Sequence, residues 1–145
     1  MEEFERAADA RLKDWEALNK AHRKVATIHM GGIYIECFLK GIICMIHPVH
    51  ENNMTGNQWN INNVVYARPG HSLTDGAYRI LLEDLYDDMS DEIMESLEYI
   101  SKPENRTYID YRYYPEDAIS NEQYEKWMGH FVRVFDYLQD RKYDI

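Results

Sequence analysis

The sequence predicts an all-α domain, a four- to five-helix up-and-down bundle. Three observations predict it. Apolar residues recur at intervals of three and four along several long segments. Sustained two-residue alternation is missing, apart from a weak run at Tyr108–Tyr113. Helix-start signals stand at Ser90 and Ser120. With 145 residues and 45% apolar content, the chain has the length and the material for a single domain over residues 1–145.

The first helix is expected over residues 4–19, where Phe4, Ala8, Leu12, Trp15 and Leu18 share one stripe. The pattern resets after Lys20, and residues 21–47 read as a second helix, closed by Pro48. It is apolar on more than one side, which places it at the centre with several neighbours. Its Gly31-Gly32 pair costs roughly 1 kcal/mol per residue relative to alanine, so another helix is expected to approach closely there. Residues 48–71 form a long Asn-rich loop containing Asn52, Asn53, Asn57, Asn60, Asn62 and Asn63. Asparagine favours turns by bonding its own backbone and by tolerating positive φ. Trp59, Val64, Val65 and Tyr66 are expected to fold part of this loop against the body.

The third helix is predicted over residues 73–89, with Tyr78, Leu81, Leu82 and Leu85 inward. Ser90 then caps a further helix, with Asp91 and Glu92 where the helix dipole favours acids and Ile93, Leu97 and Ile100 continuing the stripe. Residues 102–118 are interrupted by Pro103 and Pro115 and crowded with tyrosine. Ser120-Asn-Glu-Gln123 has the form of a capping box. It opens the last helix, which carries Tyr124, Trp127, Met128, Phe131, Val134, Phe135 and Leu138.

Charge narrows the function. The net charge is −10, from 26 acids and 16 bases. Such a balance argues against general DNA binding and against broad phosphate contact, while leaving room for a small local basic site. The first residues, Met-Glu-Glu-Phe-Glu-Arg, lack a basic start and an apolar signal core. The longest apolar run, residues 33–46, is interrupted by Glu36 and Lys40 and is read as too short to span a bilayer. Cys37 and Cys44, as helix residues seven apart, stand about 10 Å from each other, too far for a disulfide. The expectation is a cytoplasmic protein with no membrane association.

The most informative stretch runs from His29 to Ile43. It places one acid and one base, Glu36 and Lys40, four residues apart in an apolar helix, in the favourable order for an i,i+4 pair. Buried charges must satisfy each other or reach a partner. One reading is a structural pair that also bonds Arg112 or a tyrosine. The other has Lys40 reaching a phosphate while Glu36 orients it.

His22, His29 and Glu36 recur every seven residues and could line a metal seam, but the Glu-x-x-His signature of carboxylate bundles is absent. No metal or cofactor is expected. His47 and His50 flank Pro48 and read as solvated or as capping carbonyls. His71 follows Arg68-Pro-Gly and precedes the third helix, where it either contacts an anion or packs the loop onto the bundle. Residues 106–114 hold the best candidate ligand surface, with Arg106, Tyr111, Arg112 and Tyr113. Tyrosine stacks on bases and arginine binds phosphate, although tyrosines also pack helix flanks and dimer contacts.

The run Gly32-Ile-Tyr-Ile-Glu36-Cys-Phe-Leu-Lys40, followed by His71-Ser-Leu73 and Arg112-Tyr113, resembles the HEPN domain family in order and spacing over about three-quarters of the chain. The resemblance implies a small helical bundle that pairs as a homodimer. It implies service as an RNase, as the partner of a small nucleotidyltransferase, or as a nucleotide-binding copy in a stress or defence (toxin–antitoxin-like) module. The nuclease members carry Arg and His separated by four to six residues near the start of a late helix. This chain has no His at that distance after Arg106 or Arg112. The one matching pair, Arg23 and His29, lies in the second helix, the wrong place. The expected function is therefore binding of a nucleotide, RNA or a nucleotidyltransferase by a homodimer without nuclease activity. The alternative is a metal-independent RNase in which Arg106 or Arg112, with His71 or His130, rebuilds the site at the dimer cleft.

Overall fold

A computed structural model describes residues 2–47 and 49–142, with the side chains of Glu2 and Glu51 left out. Among these residues the chain is mostly helical, with six α-helices and one small sheet. The helices are α1 (Glu2–Lys20), α2 (Lys24–Ile46), α3 (Ala77–Leu81), α4 (Glu83–Asp88), α5 (Asp91–Ser101) and α6 (Asn121–Arg141). The sheet is built from β1 (Met54–Thr55), β2 (Gln58–Ile61) and β3 (Val64–Ala67).

Helix α2 is the centre, as its all-round apolarity predicts. Ile28, Ile35, Leu39 and Ile43 are buried with almost no exposure, and α1, α5, α6 and the 3-10 segment Tyr108–Tyr113 all pack on it. Its 23 residues are long and apolar enough to cross a membrane by length and composition, contrary to the shorter run read from sequence; 67% of its most apolar window is buried inside this domain. The predicted stop at Pro48 lies outside the described residues. A tight turn joins α1 to α2. His22 has φ 58°, the Arg23 N–H donates to Leu18 O and the His22 N–H to Asn19 O, which makes a Schellman cap. His22 is therefore outside the helix, and the stripe proposed with His29 and Glu36 does not form. His29 is turned to the Tyr108 carbonyl instead, 2.9 Å from its Nδ1.

The first turn of α2 has no cap from its own neighbour, Arg23. A residue far along the chain supplies one: the Glu116 carboxylate accepts from the Val25 N–H at 3.3 Å and the Ala26 N–H at 3.2 Å. An acid at this end also suits the helix dipole.

The stretch read as a long Asn-rich loop is partly regular where it is described, over residues 49–71. They contain the antiparallel sheet β1-β2-β3, whose strands are too short to show alternation in a window scan. Three of the asparagines, Asn57, Asn62 and Asn63, mark hairpin turns, while Asn52 and Asn53 end a 3-10 segment and Asn60 lies in β2. Asn62 and Asn63 both have positive φ between the paired residues Ile61 and Val64, the geometry of a two-residue type I′ loop. Gly56 serves the β1–β2 turn with φ 55°. Trp59 and Ile61 are buried and Tyr66 packs partly against the core, whereas Val64 and Val65, also expected against the body, are exposed.

Two further expectations are corrected. The weak alternation at Tyr108–Tyr113 is a 3-10 helix, with Tyr108 and Tyr111 buried. The third helix is broken at Leu82 (φ −118°, ψ 37°) into α3 and α4, with Tyr78, Leu81, Leu82 and Leu85 still inward. Leu82 is 2% exposed, so core packing of its side chain takes precedence over helix continuity there. The predicted caps form: the Ile93 N–H donates to Ser90 Oγ, and Ser120 and Gln123 complete a capping box.

Gly31-Gly32 is crowded as expected, though only half by a helix. A β-carbon on Gly31 would fall 2.4 Å from the Trp127 ring of α6, and one on Gly32 would fall 2.3 Å from the Tyr108 ring. By contrast Gly129, exposed inside α6, has open space around it. Gly129→Ala is expected to raise stability by about 0.8–1 kcal/mol, the difference in helix propensity. Urea denaturation checks it, and an unchanged midpoint would show that α6 frays at that turn.

Candidate functional site

The first residues brought together are Glu36 and Lys40. Lys40 Nζ donates to Glu36 Oε2 at 2.8 Å, with side chains only 4% and 10% exposed. The other carboxylate oxygen, Oε1, takes two partners from distant parts of the chain. The Tyr108 hydroxyl donates to it from the buried side, and His71 Nδ1 lies 2.6 Å away on the outer side. The partner tyrosine anticipated from sequence exists, and it is Tyr108; Arg112 is not in the cluster.

A carboxylate with this inventory is ionised and can only accept. Burial opposes the charge on Glu36. The Lys40 ammonium and the hydrogen bonds from Lys40, Tyr108 and His71 outweigh it and hold the carboxyl below its usual range. Burial and the adjacent Glu36 charge push the Tyr108 hydroxyl up, so it stays a donor. His71 in turn presents Nδ1–H to the carboxylate, which leaves Nε2 as the free ring nitrogen. Nε2 makes no hydrogen bond among the described residues, and the His71 side chain is 55% exposed.

The position of His71 is fixed from behind. Tyr78 donates to Gly70 O at 2.6 Å, Ser101 Oγ donates to His71 O at 3.0 Å, and the Leu73 N–H donates to Ser101 Oγ at 3.0 Å. Tyr86 adds a buried bond to Leu73 O. The backbone before α3 is thus pinned by α3, α4 and α5, and the imidazole projects from a rigid base.

Glu36, Lys40 and His71 line a cleft of about 490 Å³ between α2 and the end of the sheet, together with Asn57, Arg68 and the backbone of Pro69-Gly70. Arg68 is exposed and is anchored through its N–H to Asn57 O at 2.7 Å. The cleft therefore combines a fixed imidazole, a guanidinium and a buried ion pair beneath them. Such a set can bind an anionic group and exchange a proton with it.

The other candidate residues lie elsewhere. Arg106 stacks on Tyr114 with 5.0 Å to the ring centroid, and Arg112 on Tyr113 at 4.7 Å. Tyr113 is 70% exposed, whereas Tyr111 is buried and donates to Pro103 O at 2.7 Å, a packing role. His130 sits between α5 and α6, 2.9 Å from Ser96 Oγ and with its ring over Tyr99 at 4.5 Å. Burial, with Arg133 and Lys126 nearby, holds its imidazole below the usual value. No hydrogen bond, ion pair or ring contact among the described residues joins His71 to Arg106, Arg112 or His130. Within one chain the expected Arg/His combinations do not assemble; the arginine beside His71 is Arg68.

His47 Nε2 lies 2.8 Å from Leu81 O, so its reading as a carbonyl partner holds for a neighbouring helix. Cys37 and Cys44 are free thiols. Among the described residues no group of three or more His, Cys, Asp or Glu could hold a metal ion. Comparison with protein-family models, curated proteins and solved structures gives no match, so the geometry of the cleft carries the functional reading.

The Glu36 carboxyl sets an acid limit on stability. Its folded value lies below the unfolded value near 4.5, so its contribution is complete above that pH and is lost as pH falls through the folded value. Denaturation midpoints are expected to fall between pH 5 and the acid limb, and to fall less steeply in Glu36→Gln. Equal slopes for the two proteins would assign the acid sensitivity to other carboxylates.

Proposed function

We propose that the chain is a HEPN-like binding domain that takes a phosphate-bearing ligand, a nucleotide or an RNA segment, in the cleft above Glu36. The observation that carries the proposal is the buried Glu36 carboxylate, bonded to Lys40 and Tyr108 inside and to exposed His71 outside, in a cleft that Arg68 also lines. Arginine matches phosphate oxygens through its planar fork, and the His71 ring, when it carries a proton on Nε2 as well, donates a second contact. Two of the three pieces of the family resemblance, the run that carries Glu36 and Lys40 and the His71-Ser-Leu73 piece, meet at this point. The domain acts in the cytoplasm as a homodimer, and a small nucleotidyltransferase is the protein partner the resemblance favours.

Calorimetric titration with adenosine nucleotides and with a short single-stranded RNA tests the reading. Binding is expected in the parent protein, and Arg68→Ala and His71→Ala are each expected to weaken it about tenfold or more. Absence of binding in the parent, or an affinity unchanged from the parent in both variants, ends the proposal for this cleft. Sedimentation tests the dimer separately.

A second reading is an endoribonuclease, favoured by one feature: the carboxylate fixes Nδ1–H and frees Nε2 as a proton acceptor for a ribose hydroxyl. In that case mixed RNA is cleaved by the parent, and cleavage disappears in His71→Ala and Arg68→Ala but persists in Arg106→Ala. No cleavage by the parent removes it.

A further inference from the structure

A second groove shares no residue with that cleft. It has a volume of about 910 Å³ and lies where the ends of α2 and α6 meet α3 and α4. Its apolar part includes Ile46, Leu82 and Leu85, with Ile80 at its lip. Ile80 is 61% exposed and Ile46 42%, large apolar side chains that this domain leaves in water. Leu82, where α3 and α4 meet, lines the groove, as does His47, whose Nε2 lies 2.8 Å from Leu81 O.

The rim is acidic. Glu83, Asp84, Asp88 and Asp140 line it beside one base, Arg141. That base is already committed: Arg141 Nε contacts Asp88 Oδ2 at 2.6 Å and its guanidinium lies 4.0 Å from the Tyr137 ring centroid. Glu83, Asp84 and Asp140 make no ion pair among the described residues. Glu83 and Asp84 suit the first turn of α4. Asp140 has no such local reason, since it stands in the last turn of α6, where an acid faces the negative end of the helix dipole.

We propose that this groove docks a basic, apolar-anchored polypeptide segment of another protein, laid in as an amphipathic helix. The charge pattern selects this occupant. A second copy across a two-fold axis would set the acidic rim against itself. Anionic lipid surfaces and nucleic acids meet the same repulsion. A helix with leucine anchors and flanking lysines meets both the apolar floor and the rim.

The test uses two fluorescein-labelled amphipathic peptides of about 18 residues, one Leu/Lys and one Leu/Glu, long enough to form a helix on docking. Anisotropy is expected to show binding of the Leu/Lys peptide only. Ile80→Gln, and separately Glu83→Lys with Asp140→Lys, are each expected to weaken it about tenfold or more. Val132→Gln removes another exposed apolar side chain, on α6 and outside the groove lining, and is expected to change nothing. These exposed positions leave the core intact. Failure of the Leu/Lys peptide to bind, or equal weakening by Val132→Gln, overturns the proposal. So does a dimer that Ile80→Gln dissociates, because the occupant would then be a second copy.

Discussion

Replacing Glu36 with alanine is expected to destabilise the chain by about 3–5 kcal/mol, the cost of leaving one member of a buried ion pair without its counter-charge. Lys40 would keep an ammonium in a site where its side chain is 4% exposed. Its remaining neighbour is the Phe4 ring, 5.8 Å from Nζ, which offers at most a weak cation–π attraction. Tyr108 would also lose the acceptor for a buried hydroxyl, adding about 1–3 kcal/mol unless water enters. The double change Glu36→Leu with Lys40→Met is expected to recover much of the loss, because apolar residues of similar size often replace a buried pair without cost. Urea denaturation followed by tryptophan fluorescence measures both. A loss below about 1 kcal/mol for Glu36→Ala would mean that the pair is solvated and that the cleft floor is built otherwise.

Gly32→Ala is the second large effect. The added methyl would fall 2.3 Å from the Tyr108 ring, which is fully buried and tethered through its hydroxyl to Glu36. Overpacking of a full core costs about 1–3 kcal/mol and rises when the neighbour cannot turn away. Displacing Tyr108 also moves a hydrogen-bond donor off the carboxylate, so ligand affinity at the cleft is expected to fall together with stability. Tyr108→Leu alone removes the bond but makes space. The two changes combined are expected to cost less than their sum, a coupling that a double-mutant cycle reads directly. Strict additivity would place the ring somewhere other than over Gly32.

These two residues were the most legible part of the site. A glycine pair inside an apolar helix announces a close neighbour, and an acid and a base one turn apart in the same helix announce a buried pair. Helices α1, α2, α5 and α6 were legible too, since their stripes run for three turns or more and two of them carry side-chain caps. What closes the site was not. Tyr108 is one of 12 tyrosines, and nothing in its local sequence separates it from Tyr111 or Tyr113. His71 and Arg68 stand in a stretch read as a loop, so their partner across the fold could not be named. The sheet had a usable sign, Asn62-Asn63 between Ile61 and Val64, the turn chemistry of a two-residue hairpin. The break at Leu82 had none: no glycine or proline marks it, and its buried side chain reads like any other core position of a helix.

The Glu116 clasp ties the order of synthesis to the order of folding. The first turn of α2 leaves the ribosome early, while the carboxylate that satisfies it is made some ninety residues later. Until then the amides of Val25 and Ala26 are solvated and the amino-terminal hairpin is held at one end only. Truncated chains ending before residue 116 should therefore show rapid amide exchange at Val25 and Ala26, and protection there should arrive in a single step once the chain extends past it.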